Sequence, residues 1–137
     1  MTTVYFEHGA ILFAQPDDNR RRPPAMVLVP GLMDQIRYLL EARVDIRVVG
    51  GHIAGQFDAL EELQIIPELP DDPPVDSWLV TSDPGWCERP RPAGLRTILI
   101  GPHKTPGPRR STYCDVVARD LSAAVMEILT RQVMGSV

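Results

Sequence analysis

The chain has almost no lysine: of its 14 basic residues, only Lys104 is not an arginine. It has two cysteines, Cys87 and Cys114, few aromatics (6%), and no apolar run near the ~18 residues that span a bilayer. Each scarcity removes a class of protein. Two cysteines without metal-ligand spacing make neither a disulfide framework nor a metal site of their own, so both are read as reduced and buried. The lack of an apolar run, with no signal-peptide pattern, leads to the expectation of a cytoplasmic protein that does not engage a membrane. A balance of 18 acidic against 14 basic residues, with no basic stripe interleaved with aromatics, argues against nucleic acid as a partner.

What is present describes one ordinary domain spanning 1–137. With 137 residues, 44% of them apolar, the chain can bury roughly 65–70% of its unfolded surface around a single core. Short apolar runs alternate with segments of helical periodicity. Thr3 to Phe6 is β-branched and aromatic and predicts the first strand, followed after Glu7-His8-Gly9 by a second apolar run, Ala10 to Phe13. Gln15 to Pro24 is polar and proline-broken, hence a loop, and Met26 to Val29 is a further apolar run. Pro30-Gly31 opens a helix to about Arg43, with Leu32, Met33, Ile36, Leu39 and Leu40 on its buried face. Asp45 to Val49 predicts a strand stopped by Gly50-Gly51, and a helix should follow from about Ala54 to Leu63. Ile65-Ile66 is a minimal strand, and Pro67 to Val75 a stiff connector.

The stretch from Ser77 to Pro102 then reads strand, turn, short helix, strand. Trp78-Leu79-Val80 and Thr97-Ile98-Leu99-Ile100 have the composition of strands buried on both faces. Ala93-Gly94-Leu95 closes the intervening segment with a glycine C-cap. Gly101 to Ser111 is a loop, Tyr113 to Val117 an edge strand, and Asp120 the N-cap of a last helix. That helix carries Leu121, Ala124, Val125, Ile128 and Leu129 on one stripe. The alternation predicts an α/β fold, a three-layer Rossmann-like parallel sheet of about five strands with helices on both faces. Ligands of such sheets bind outside the carboxyl ends of the strands.

The Ser77–Pro102 unit resembles the last strand-helix-strand unit of the haloacid dehalogenase (HAD) superfamily, and the resemblance extends over roughly Thr2 to Val133. It implies a HAD-like domain without a cap domain. It also implies where catalytic groups should lie. The superfamily's first strand ends in D-x-D-G-T/V, a nucleophilic aspartate and an acid-base aspartate. Aligned on its glycine, FEHGA puts Phe6 at the first, His8 at the second and Ala10 at the threonine. A shifted register offers Glu7, which strand alternation would turn away. At the phosphate-binding Ser or Thr stands Gly50 or Gly51, and Lys104 lies after a later strand than the motif lysine. The metal-binding acids align with Thr81-Ser82-Asp83-Pro84-Gly85-Trp86, where only Asp83 is acidic. Phosphoryl transfer depends on placed charge and metal, so a catalytically degenerate, non-catalytic binding or interaction module is expected, with no cofactor.

Two residue patterns supply alternatives. His8, His52 and His103 each follow a predicted strand and Asp83 ends another, a donor set suited to Zn2+ or another divalent metal and hence to a HAD-like hydrolase of altered chemistry. Arg20, Arg21 and Arg22 in one loop, with Lys104, Arg109 and Arg110 in another, form a candidate anion site on the same edge, the basis of a phosphate sensor. Trp86, in place of a metal acid, is expected to pack into the core. The apolar stripe of the last helix is read as core. A protein partner or a homo-oligomer is expected for the module.

Overall fold

A computed structural model describes residues 2–15, 25–50, 63–83, 85–86, 94–101 and 115–135. In chain order the elements are β1 (Thr3–Glu7), α1 (His8–Ile11), β2 (Leu12–Gln15), β3 (Ala25–Leu28), α2 (Leu32–Glu41) and β4 (Asp45–Val49). They continue with β5 (Gln64–Ile66), β6 (Ser77–Thr81), β7 (Leu95–Ile100), β8 (Val116–Ala118) and α3 (Leu121–Gly135). The main sheet has six strands in the order β5-β4-β1-β6-β7-β8, one more than the sequence reading counted. All its pairings are parallel. β2 and β3 form a separate antiparallel pair.

Every residue of β1 and β6 is buried, as expected of parallel strands covered on both sides. Alternation then divides their side chains between two cores. Val4, Phe6, Trp78, Val80 and Ile98 join α2 and α3 in the larger one. Tyr5, Val49, Leu79 and Leu95 form a smaller one on the opposite face, against which Ile66, Leu69 and Trp86 pack. Trp86 is thus a packing residue, as expected. Burial pushes the Tyr5 phenol above its ordinary 10.0; nearby Arg47 opposes the shift and Asp45 adds to it. The helices expected over 54–63 and between β6 and β7 fall largely or wholly outside the described residues, as do Cys87, Tyr113 and Cys114.

Local chemistry explains most boundaries. The Asp120 carboxylate accepts the Ala123 N–H at 2.8 Å and caps α3. The edge strand begins three residues later than predicted, at Val116. Asp115 precedes it, its carboxylate accepting the Thr97 N–H at 2.8 Å and lying 3.2 Å from the Thr97 hydroxyl. The run Ala10 to Phe13 is not one element, because the α1 turn ends at Ile11 and β2 starts at Leu12. The face assigned to α2 was too wide: Leu32, Ile36 and Leu39 are buried, whereas Met33 is 48% and Leu40 53% exposed. Only the i, i+4, i+7 line of this short helix reaches the sheet.

Candidate functional site

β1 leads to β4 on one side of the sheet, and the chain later returns to β6 on the other. The switch point therefore lies between β1 and β6, and the ligand crevice of such a sheet opens at their carboxyl ends. Glu7 ends β1, and Thr81 ends β6. Glu7 is 3% exposed. Its carboxylate caps α1 by accepting the Gly9 N–H. The Thr81 hydroxyl lies 3.4 Å from Glu7 Oε1 and accepts the Asp83 N–H at 3.0 Å. From the next position, the Ser82 hydroxyl donates to the Gly9 carbonyl at 2.7 Å. The two strand ends are tied together by their own side chains.

Gly9 sits where these groups converge. A Cβ at Gly9 would lie 2.8 Å from Glu7 Oε2 and 3.0 Å from Ser82 Oγ, so no side chain fits without displacing them. A second close approach occurs at β4. Gly50 follows that strand with φ of 88°, and a Cβ there would come 2.7 Å from His8 Nδ1. The His8 ring fills the place where a side chain at residue 50 would project. Its Nδ1 is buried with no hydrogen-bond partner among the described residues and stands 3.9 Å from Glu7 Oε2, too far for a hydrogen bond.

Among the sequence-predicted site residues, His8 and Asp83 are described, at the ends of the neighbouring strands β1 and β6. Asp83 is exposed and its Oδ1 accepts the Gly85 N–H at 2.9 Å. His52, His103, Arg20, Arg21, Arg22, Lys104, Arg109 and Arg110 lie outside the described residues. Phe6 belongs to the larger core and faces no crevice. The residue that sequence reasoning set aside is Glu7. Alternation holds only while the strand lasts, and β1 stops there, so the α1 turn folds the Gly9 amide back over the carboxylate. The available signal was an acidic residue closing an apolar strand immediately before a glycine-containing turn.

No protein-family model matches this sequence, and no curated protein matches it. Solved structures do. The D,D-heptose 1,7-bisphosphate phosphatase of Burkholderia thailandensis superposes with a TM-score of 0.59 at 17% identity, covering 94% of this chain and 99% of its own. The D,D-heptose 1,7-bisphosphate phosphatase of B. bronchiseptica, in complex with magnesium and phosphate, gives 0.52 at 14% identity, covering 96% and 99%. A magnesium site does not fit the residues described here. No group of three His, Cys, Asp or Glu among them is placed to hold a metal. The Glu7 and Asp83 carboxylates are engaged with backbone N–H groups. These likenesses show the fold alone: a parallel six-stranded α/β sheet shared with the two heptose bisphosphate phosphatases over nearly the whole of each chain.

Proposed function

We propose that this chain is a binding or interaction module of HAD-like fold that does not carry out the superfamily's phosphoryl transfer. The observation behind this reading is the strand-end pair. Registered on the glycine, the two catalytic positions hold Phe6, a core residue, and His8. Registered on the strand end they hold Glu7 and Gly9, and a side chain at Gly9 would collide with Glu7. Neither register supplies a carboxylate nucleophile with an acid-base partner two residues on. The His8 ring likewise occupies the space that a phosphate-binding hydroxyl at residue 50 would need. Phosphoryl transfer runs on positioned charge and metal, and the described edge offers little of either. The candidate anion contacts remain Arg20, Arg21, Arg22, Lys104, Arg109 and Arg110, which lie outside the described residues.

The test is a turnover assay of the purified chain with p-nitrophenyl phosphate and a panel of sugar phosphates, each with Mg2+, Mn2+ or Zn2+. The expected rate is no higher than that of a Glu7→Gln variant. Hydrolysis by the unaltered chain that Glu7→Gln or His8→Ala abolishes would overturn the reading. Elemental analysis of tag-free protein belongs beside it: about one equivalent of transition metal, lost in His8→Ala, would favour instead a hydrolase using His8, His52, Asp83 and His103. Inorganic phosphate is expected to raise the melting temperature only if the loops bind anions. That shift should vanish when Arg20, Arg21 and Arg22 are all changed to Ala.

A further inference from the structure

The His8 side chain is 37% exposed at the carboxyl edge of the sheet, but unevenly. Nδ1 is buried over Gly50. Nε2 is neither buried nor hydrogen-bonded among the described residues. The two nitrogens of one ring therefore live in different surroundings.

A neutral imidazole carries one proton, and the tautomer decides which nitrogen keeps a lone pair. A lone pair on Nδ1 would need a donor, and the donors at this strand end are spent. The Gly9 N–H goes to the Glu7 carboxylate, the Gly50 N–H to the Ile66 carbonyl at 3.0 Å, and the Ser82 hydroxyl to the Gly9 carbonyl at 2.7 Å. The lone pair would also face Glu7 Oε2 across 3.9 Å, one acceptor against another. A proton on Nδ1 meets the same oxygen favourably. The distance is too long for a hydrogen bond, but Glu7 is 3% exposed, and the field of a buried carboxylate is little screened.

We propose that Glu7 is a positioning residue: its carboxylate holds the proton of His8 on Nδ1, so that Nε2 presents a lone pair to solvent at the end of β1. The site so formed is a base and a nucleophile. It is open to a ligand that brings an O–H or N–H proton, or an electrophilic acyl carbon. This goes beyond the binding-module reading and does not rest on it, because such a lone pair serves recognition and chemistry alike.

Long-range 1H–15N correlation spectra of the labelled full chain read the tautomer, with His8→Ala identifying the His8 signals. They are recorded at an alkaline pH beyond which the ring shifts no longer change, so that the ring carries one proton. The expected pattern has the proton on Nδ1, the reverse of the form that an unconstrained histidine side chain favours. Glu7→Gln keeps the shape and removes the charge, and should lower the ratio of the Nδ1–H to the Nε2–H form at least about threefold. Diethyl pyrocarbonate probes the lone pair itself. Nε2 attacks one carbonyl carbon, the ring gives up its Nδ1 proton, and the displaced ethyl carbonate leaves as ethanol and carbon dioxide. Peptide mass spectrometry should find His8 ethoxycarbonylated in the folded chain, and more slowly in Glu7→Gln. A proton found on Nε2 in the unaltered chain would overturn the proposal. So would a tautomer ratio indifferent to Glu7→Gln, or a His8 that reacts only in urea. Should Glu7→Gln fail to fold, the spectrum of the unaltered chain decides alone.

Discussion

At Gly50 the backbone φ is 88°, and a Cβ there would lie 2.7 Å from His8 Nδ1. Two separate penalties therefore oppose any side chain at this position. The left-handed conformation costs a non-glycine residue about 1 kcal/mol, and the His8 ring must also move. Gly50→Ser, which would restore a hydroxyl after β4, is expected to destabilise the chain by about 2 kcal/mol. Removing the ring separates the two terms. In a His8→Ala background the same substitution should lose only the conformational part, a coupling of about 1 kcal/mol in a double-mutant cycle read by urea unfolding. Additive effects would mean that His8 does not exclude a side chain there. Glu7 and Gly9 stand in a similar relation, since the carboxylate occupies the space that a side chain on Gly9 would need. These contacts join neighbouring backbone ends and would be absent from the unfolded chain.

The end of α2 shows how an element can be complete in its hydrogen bonds and still carry strain. Arg43 N–H donates to the Leu40 carbonyl at 3.0 Å and Val44 N–H to the Leu39 carbonyl at 3.0 Å. This is the Schellman pattern, with Val44 and Leu39 both in the core behind it. The pattern requires a left-handed residue after the cap, and Arg43 supplies it at φ of 62° where glycine is usual. Arg43→Gly should therefore stabilise the chain by roughly 0.5–1 kcal/mol, seen as a higher urea midpoint at unchanged slope. A lower midpoint would show that the arginine side chain contributes more than its backbone loses. The sequence revealed this helix by its periodicity but not the width of its buried face. Met33 and Leu40 flank a line of contact whose width depends on how α2 and α3 share the sheet. That packing is a tertiary property, and apolar spacing along one helix does not contain it.

For the molecule as a whole, legibility followed burial. The strands at Thr3 and Ser77 were readable because strands covered on both faces are nearly continuously apolar, whereas at Asp45 the half-buried Asp45 and Arg47 alternate with the buried Ile46 and Val48. The site was less readable, because Glu7 acquires its position only where β1 ends and the chain turns back over it. The same sheet order sets how stability is distributed. β1 is paired on both sides, by β4 and β6, and all its residues are buried. β5 and β8 are three-residue edges paired on one side only. β8 is helped by Asp115, whose carboxylate accepts the Thr97 N–H and whose own N–H donates to the Thr97 hydroxyl at 3.1 Å. Opening an edge breaks one row of bonds, whereas opening β1 breaks the sheet. Native-state hydrogen exchange should therefore find the amides of Val4, Tyr5, Phe6, Leu79 and Val80 released only by global unfolding, with a common dependence on denaturant. Amides of Ile65, Ile66 and Val117 that are protected at all should exchange at least about 100-fold faster, through local opening. Between the edges, β8 should be the slower, and Asp115→Ala should remove that difference while leaving the β1 amides at the global limit. If β1 exchanges as fast as β8, the sheet does not unfold from its edges, and the division of the core into a larger and a smaller face does not govern how the molecule opens.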